Sequence, residues 1–100
     1  MKMALVWVDF NRSLGAGVFA FSKRDEAQDI DGRIVPIHAG LRVVAFDHDI
    51  LEDGSKGLMV VPAVVCFNSE KEGPFTAYKW CVQTTGDYRW VTFQEACQIV

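Results

Sequence analysis

Residues 58–67 form the most apolar stretch of the chain, and this stretch limits most strongly what the chain can fold into. Apolar and polar residues do not alternate in it, which is typical of a β-strand buried on both faces by the core or by a partner. Pro62 lies in its middle and has no amide proton to donate, so we expect the strand at a sheet edge or at a β-bulge. An apolar edge strand can pair with a second chain, and we therefore predict a homodimer. The predicted interface consists of the valines of this stretch, Val60, Val61, Val64 and Val65.

The length and composition indicate one folded domain over residues 1–100. A chain of 100 residues has the usual size of one domain and is too short for two. Half of its residues are hydrophobic and 23% are charged, which is the opposite of the balance found in disordered chains. So large a hydrophobic share also leaves apolar surface that self-association can cover.

The charge distribution argues against nucleic acid as a partner. The formal net charge is −3, and the ten basic residues are scattered from Lys2 to Arg89, with Lys23-Arg24 as the one adjacent pair. Proteins that bind nucleic acid usually gather Lys and Arg into a patch or an arm. We therefore expect no nucleic-acid partner.

The three cysteines, Cys66, Cys81 and Cys97, indicate reduced thiols. An odd number is a poor disulfide framework, and no pair has the C-x-x-C spacing. The apolar start of the chain is interrupted by Asp9 and is too short for a secretion signal or a membrane span. We therefore expect a soluble, cytoplasmic protein without a membrane partner.

Further short runs are typical of strands joined by turns. Four of them are rich in β-branched, aliphatic and aromatic residues, and they cover residues 3–10, 17–21, 33–38 and 41–46. Residues 76–84 alternate, and Thr85-Gly86-Asp87 predicts a turn that returns residues 88–91 as the second arm of a hairpin. Sequential strands joined in this way normally pair antiparallel.

Two segments have features of a helix. Thr92 and Glu95 match a capping box, which predicts a short C-terminal helix. Its apolar stripe consists of Phe93, Ala96, Cys97 and Val100. Residues 22–31 are either a loop or a short surface helix with Ser22 as N-cap and Gly32 just past its end.

Together these segments predict a mainly β fold. We expect a small antiparallel β-barrel or a strongly bent sheet with a short C-terminal helix. The alternative is an α+β fold in which residues 22–31 form a helix packed on an open sheet.

Residues 15–20 match the G-x-G-x-x-[GA] pattern of dinucleotide-binding loops. That motif requires a helix directly after the glycines, where the phosphates bind. The residues after Gly17 are Val-Phe-Ala-Phe, which favour a strand. We therefore interpret the glycines as a turn between two strands, and we expect no cofactor.

Asp47, His48, Asp49, Glu52 and Asp53 place four carboxylates and an imidazole within seven residues. A calcium loop needs oxygen ligands at alternate positions and a glycine at the sixth. Here a leucine occupies the third ligand position and Glu52 occupies the glycine position. We interpret residues 47–57 as a solvated acidic loop, without a metal.

Aromatic side chains near the C-terminus are the best candidates for ligand contacts. Exposed Trp and Tyr are favoured at binding sites. Alternation places Tyr88 and Trp90 on one face of the predicted hairpin arm, with Trp80 on the partner strand. These three residues are the predicted ligand-binding group, and the other interpretation is that they pack on the C-terminal helix.

These features predict a non-catalytic binding module that self-associates and recognises a protein or a small apolar ligand. The alternative is a small enzyme with a site between strands, in which His38 or His48 acts with a carboxylate or a cysteine. No catalytic motif surrounds either histidine, so the sequence assigns no catalytic residue.

Overall fold

A computed structural model describes residues 3–99, and within them the chain forms nine strands and one helix. The strands are β1 (Ala4–Trp7), β2 (Ser13–Gly15), β3 (Val18–Ser22), β4 (Glu26–Gln28), β5 (Ile34–Pro36), β6 (Arg42–Ile50), β7 (Lys56–Phe67), β8 (Trp80–Thr84) and β9 (Arg89–Val91), and the helix is α1 (Phe93–Ile99). The prediction of a mainly β fold with a short C-terminal helix is therefore confirmed.

Seven strands form one open sheet in the order β1-β6-β7-β8-β3-β2, with β9 also paired to β7. A flat sheet of this order would hold its two end strands about 24 Å apart, whereas residues 8–12, which join them, span at most about 21 Å. Phe10 in this connection also contacts Phe19 of β3, with ring centroids 5.1 Å apart. The sheet is thus strongly bent but not closed into a barrel.

The pairing of β1 differs from the sequence prediction. β1 lies parallel to β6, in the register Ala4↔Val43 to Trp7↔Phe46, while every other strand pair of the described residues is antiparallel. The antiparallel expectation rested on neighbours in sequence. The partner of β1 instead lies more than thirty residues further along the chain.

β7 lies inside the sheet, so the prediction of an edge strand is wrong. One edge of β7 pairs with β6, and the other pairs with β8 at its C-terminal half and with β9 at its N-terminal half. β8 and β9 run in the same direction along β7 and do not form the predicted hairpin. They are one strand interrupted at residues 85–88.

Pro62 explains the interruption. Thr85 N–H donates to the Pro62 carbonyl at 2.8 Å, and in an antiparallel ladder the reciprocal bond would need an N–H on residue 62. Proline has none, and the neighbouring strand leaves the ladder at this point. Gly86 packs against the proline ring, because a Cβ there would lie 2.7 Å from Cγ of Pro62. The ladder is thus interrupted at Pro62, and the residues that leave it belong to the neighbouring strand.

Both faces of β7 are largely buried by the chain itself over residues 58–65, whereas Phe67 at the end of the strand is 62% exposed. Odd-numbered residues of β7 enter a first core that consists of Val6, Val8, Phe19, Ile37, Val43, Ala45, Val61, Ala63, Val65, Trp80 and Val82. Among the even-numbered residues, Leu58 and Val60 enter a second core, which consists of Leu5, Val44, Phe46, Leu58, Val60, Val91 and Ala96. Ala96 of α1 closes the second core.

The predicted interface valines lie mostly within these cores. Val60, Val61 and Val65 are each at most 3% exposed, and Val64 is half-buried. Burial of each valine in the chain's own core stabilises the fold by about 1.5 kcal/mol or more. Three of the four therefore offer no surface to a second chain, and self-association stays a prediction without its edge-strand premise.

Residues 22–31 do not form a helix, so the α+β alternative is wrong. The Ser22 hydroxyl caps a turn by accepting from Arg24 N–H at 3.1 Å and donating to the Arg24 carbonyl at 2.9 Å. β4 and β5 then form a separate two-stranded sheet. The residues that connect β4 and β5 hydrogen-bond to the outer edge of β1, where Ile30 N–H donates to the Leu5 carbonyl.

The capping box of α1 is formed as predicted. Thr92 Oγ1 accepts from Glu95 N–H at 3.1 Å, and Glu95 Oε1 accepts from Thr92 N–H at 2.9 Å. Within residues 3–99, no helix is long and apolar enough to cross a membrane.

The glycine pattern at residues 15–20 is a turn between β2 and β3, as interpreted from the sequence. Gly15, Ala16 and Gly17 all have positive φ, with 53° at Ala16. Val18–Ser22 is a strand, so no helix N-terminus faces this turn. Among the described residues, Ala16 is the only non-glycine with positive φ.

We predict that Ala16→Gly stabilises the protein. The left-handed conformation costs an L-residue about 1–2 kcal/mol, and glycine avoids this cost. Part of the gain is offset, because the unfolded chain has more conformational entropy with glycine than with alanine. The expected net gain is about 0.5–1 kcal/mol in the free energy of unfolding, measured by urea denaturation. The control Ala39→Gly, in a turn with ordinary φ, should lose about 0.4–1 kcal/mol. A loss in both variants would contradict strain at Ala16.

Candidate functional site

The side chain of Trp80 is packed and hydrogen-bonded within the fold. It is 5% exposed, and Phe67 stacks on its ring with centroids 4.4 Å apart and planes inclined by 23°. The ammonium of Lys79 lies 5.4 Å from the same ring centroid, and Nε1 donates to Asp25 at 2.9 Å. The indole therefore has little surface and no free N–H to offer a ligand, and its predicted ligand contact stays a prediction.

Tyr88 and Trp90 lie on one face of the sheet, away from Trp80. Tyr88 packs against the first core, with its ring edge-on to Phe10 at 5.8 Å, and burial raises the pKa of its hydroxyl. Trp90 pairs with Met59, whereas Trp80 pairs with the last residue of β7. Eight residues of strand separate the two pairs, which is about 27 Å.

Trp90 is an exposed indole held by a carboxylate. Its side chain is 56% exposed, and Nε1 donates to Asp49 Oδ2 at 2.8 Å. The pKa of Asp49 is lowered, first by this indole N–H and then by the N–H of Ile50. The ring is thus fixed at its polar edge while its faces remain in contact with solvent.

Trp7 repeats this arrangement at the end of β1. It is 44% exposed, and its Nε1 donates to Asp47 Oδ1 at 3.0 Å. Asp47 Oδ2 accepts from Phe10 N–H at 3.2 Å. Asp47 and Asp49 alternate along β6, so the two carboxylates project from the same side of the strand.

The acidic segment is therefore largely strand and not the loop expected from the sequence. β6 continues to Ile50 and β7 begins at Lys56, which leaves residues 51–55 as the connection. Two of its carboxylates bind indole N–H groups. Within residues 3–99, no group of three or more His, Cys, Asp or Glu side chains is arranged to hold a metal ion.

Arg12 extends the aromatic surface beyond Trp7. Its guanidinium carbon lies 5.8 Å from the Trp7 ring centroid and 5.2 Å from that of Tyr78, and Lys23 Nζ lies 5.1 Å from the Tyr78 centroid. The Arg12 guanidinium also forms an ion pair with the Asp9 carboxylate, with Nε and Oδ2 3.5 Å apart. Cations at this distance from a ring are attracted by its negative face.

These contacts, together with the placement of Asp47 and Asp49 on the same side of β6, arrange seven side chains in one row, which we call the indole strip. It consists of Trp90, Asp49, Asp47, Trp7, Arg12, Tyr78 and Lys23. One end is acidic and the other is basic, with aromatic rings in both halves. Of these residues, the sequence predicted a ligand contact only for Trp90. It did not indicate Trp7, Arg12 or Tyr78, because their contacts depend on folding. The available signal was two aspartates at alternate positions of an extended run.

His38 and His48 are the residues predicted for the alternative enzyme site. His38 Nδ1 contacts only the carbonyl of Ala39, and the ring of His48 packs edge-on to Phe46 at 6.1 Å. Among the described residues, neither imidazole forms a hydrogen bond with a carboxylate or a thiol. Burial raises the pKa of Cys66 and of Cys81, which lowers their nucleophilic thiolate fraction at neutral pH.

An apolar groove of about 390 Å³ lies on the sheet face beside the second core. Met3, Pro62 and Val64 line it, and Arg42 and Thr85 supply polar atoms. Its volume is in the range of small-molecule sites.

Comparison of the chain with protein-family models, with curated protein sequences and with solved structures found no match.

We predict that the indole N–H of Trp90 reports the ionisation of Asp49. The pKa of Asp49 is lowered in the folded protein. The hydrogen bond to the ionised carboxylate is therefore fully present above the usual aspartate pKa of about 3.9, and it is lost as the pH falls through the lowered pKa of Asp49. In ¹H–¹⁵N spectra, the Trp90 indole resonance should titrate with its midpoint below about 3.9.

The control is Asp49→Asn, which keeps an oxygen acceptor and removes the charge. Its Trp90 resonance should no longer follow this titration. A titration that persists unchanged in Asp49→Asn would assign it to another carboxyl group.

Proposed function

We propose that the protein is a non-catalytic binding module and that the indole strip is its contact surface for proteins. The observation that carries the proposal is the pair of exposed indoles, Trp7 and Trp90, each fixed through its N–H by an aspartate at 3.0 and 2.8 Å. Tryptophan, tyrosine and arginine dominate the binding energy of protein interfaces. The strip presents all three residue types side by side.

Preorganisation favours this surface. Binding normally costs about 0.5–1.5 kcal/mol for each side chain that becomes immobilised. Asp47 and Asp49 already hold the edges of the two indoles, and Arg12 is already placed between Trp7 and Tyr78. A partner therefore gains contact area on rings that lose little freedom.

The charges of the strip favour a protein over a nucleic acid. Asp47 and Asp49 occupy one half, and they would repel the phosphates that Arg12 and Lys23 attract in the other. A protein surface can match both signs. The proposal also places the module in the cytoplasm, where unpaired thiols such as those of this chain persist.

A second copy of the chain is the first partner to test. A two-fold axis places the same surface of both copies in contact, with the order of residues reversed. The acidic end, at Asp49, then faces the basic end of the partner, at Lys23. Self-association is thus proposed through the strip instead of through the valines of β7.

We predict that Trp90→Ala weakens self-association about thirtyfold or more, since truncation of a hot-spot tryptophan at an interface costs about 2 kcal/mol or more. Sedimentation velocity over a concentration series measures the dissociation constant. The matched control is Ile34→Ala, because Ile34 is 57% exposed but lies on β5, outside the strip. Added salt should weaken the dimer as well, because the charged ends are exposed.

Two results would overturn the proposal in different ways. A dimer that resists Trp90→Ala but is lost in Val64→Glu would return the interface to β7. A chain that stays monomeric contradicts self-association, and the strip is then tested with a displayed random-peptide library. Selected peptides that bind wild type and Trp90→Ala equally would remove the strip as a contact surface.

The apolar groove supports a second candidate, the binding of a small apolar ligand. Native mass spectrometry of freshly purified protein should then show a bound mass that is lost in Val64→Glu, since Val64 lines the groove. A folded wild-type protein without added mass, which also fails to bind the probe 1-anilinonaphthalene-8-sulfonate, would contradict this candidate.

A further inference from the structure

Cys66 and Cys81 are direct cross-strand neighbours. They are opposite each other in the antiparallel pair of β7 and β8. Val65 and Val82, next to them, enter the first core, so alternation places both thiols on the other face of the sheet. Two cysteines separated by fourteen residues in sequence are therefore side by side in the fold.

The ladder places the two backbones at a distance that a disulfide can bridge. Thr85 donates to Pro62, and Asn68 donates to Lys79, on either side of the pair. Because hydrogen-bonded pairs alternate along the ladder, Cys66 and Cys81 form one of them, with Cα atoms about 5.5 Å apart. Disulfides usually join Cα atoms that are about 4.4–6.8 Å apart.

A small cavity gives access to the pair. It has a volume of about 190 Å³, and both cysteines line it together with Val18 and Asn68. Cys66 is half-buried, while Cys81 is 1% exposed. Because Cys66 is the more exposed of the two, a molecule the size of a peroxide that enters the cavity reaches the Cys66 thiol more readily than that of Cys81.

We propose that Cys66 and Cys81 form a redox-active dithiol, which a peroxide oxidises to an intrachain disulfide and which a small thiol reduces again. The Cys66 thiolate attacks one peroxide oxygen, the O–O bond breaks, and the leaving hydroxide takes a proton to give water and a sulfenic acid at Cys66. The Cys81 sulfur then attacks the Cys66 sulfur. The S–O bond breaks, and a second water leaves with the proton of Cys81. Two thiols are oxidised, and one hydrogen peroxide is reduced to two waters.

The environment assigns these two roles. Burial raises the pKa of Cys66. The pKa of Cys81 is raised to about 11, first by burial and then by the charges of Cys66 and Glu70. Cys66 is thus the attacking group, and Cys81 resolves the sulfenic acid. Because the thiolate is the nucleophile, the rate at neutral pH is low and rises about tenfold per pH unit up to the pKa of Cys66.

The third cysteine supplies an internal control. Cys97 lies on α1, in a pocket with Leu5 and Asp29 at the β1 side of the sheet. It has no cysteine opposite it in any strand pair. Cys97→Ser therefore leaves the proposed dithiol intact.

The test is peptide mapping of the full chain after treatment with hydrogen peroxide and blocking of the remaining thiols. Trypsin releases Cys66 in residues 57–71, Cys81 in residues 80–89 and Cys97 in residues 90–100. Wild type and Cys97→Ser should give a linked peptide of residues 57–71 and 80–89 that dithiothreitol separates. Its rate of formation should rise about tenfold per pH unit below the pKa of the Cys66 thiol.

Cys66→Ser should form no intrachain disulfide and should keep the fold, which its circular dichroism spectrum and Tm report. Cys81→Ala, which adds no polar atom to a buried position, should stop at a Cys66 sulfenic acid that dimedone traps. A disulfide that includes Cys97, a bond between chains, or oxidation of Cys66 to sulfinic acid in wild type without a linked peptide would each overturn the proposal.

Discussion

The backbone of β7 is hydrogen-bonded along both of its edges, and its side chains are buried on both faces over residues 58–65, apart from half-buried positions such as Pro62 and Val64. The two cores lie on opposite sides of this one strand, so each other strand of the main sheet is placed by its distance from β7. α1 is placed in the same way, because Val91 of β9 pairs with Leu58 and the helix begins directly afterwards. A polar side chain at Val61 would therefore disturb the shared scaffold of the whole sheet and not one local contact.

Local rules predicted what local forces decide. The capping box at Thr92 and Glu95 and the glycine turn at residues 15–17 involve neighbours in sequence, and both are formed as expected. The lack of alternation in residues 58–67 indicated burial on both faces, which the structure shows for Leu58, Val60 and Val61 but not for Phe67, which is 62% exposed. Pairing partners are a different matter, because a strand's neighbours are chosen by packing across the whole chain. The parallel partner of β1 and the shared edge of β8 and β9 have no local signal.

Pro62 shows how a correct local rule led to a wrong position. Its missing N–H does require an interruption of the ladder, for which the sequence predicted either a sheet edge or a bulge at Pro62. The structure instead removes the neighbour, since residues 85–88 leave the ladder opposite the proline and β9 resumes the pairing. Thr85-Gly86-Asp87 predicts a hairpin turn because a glycine-containing interruption of one strand has the same composition as a turn between two strands.

The tryptophans follow a similar division between local and distant information. Alternation alone placed Tyr88 and Trp90 on one face. The acceptor of each indole N–H comes from a residue 40, 55 or 41 positions away, for Trp7, Trp80 and Trp90 respectively. An amphipathic ring needs a polar partner for its N–H and an apolar contact for its body. Trp80 has both inside the protein, whereas the exposed indoles have the polar partner and leave much of their ring area to solvent.

The indole strip and the dithiol meet in the segment between β7 and β8. A disulfide from Cys66 to Cys81 would enclose residues 67–80, which include Tyr78 of the strip, whereas Asp49 and Trp90 are positioned by β6, β7 and β9. Asn68 already fixes the enclosed segment, since its amide donates to the carbonyls of Phe75 and Tyr78 at 2.8 and 2.9 Å. The native segment therefore has little freedom for a disulfide to remove. Closing a loop of this length lowers mainly the conformational entropy of the unfolded chain, which raises the free energy of unfolding by about 3 kcal/mol. Oxidation should thus stabilise the fold while leaving Tyr78 and the basic half of the strip in place.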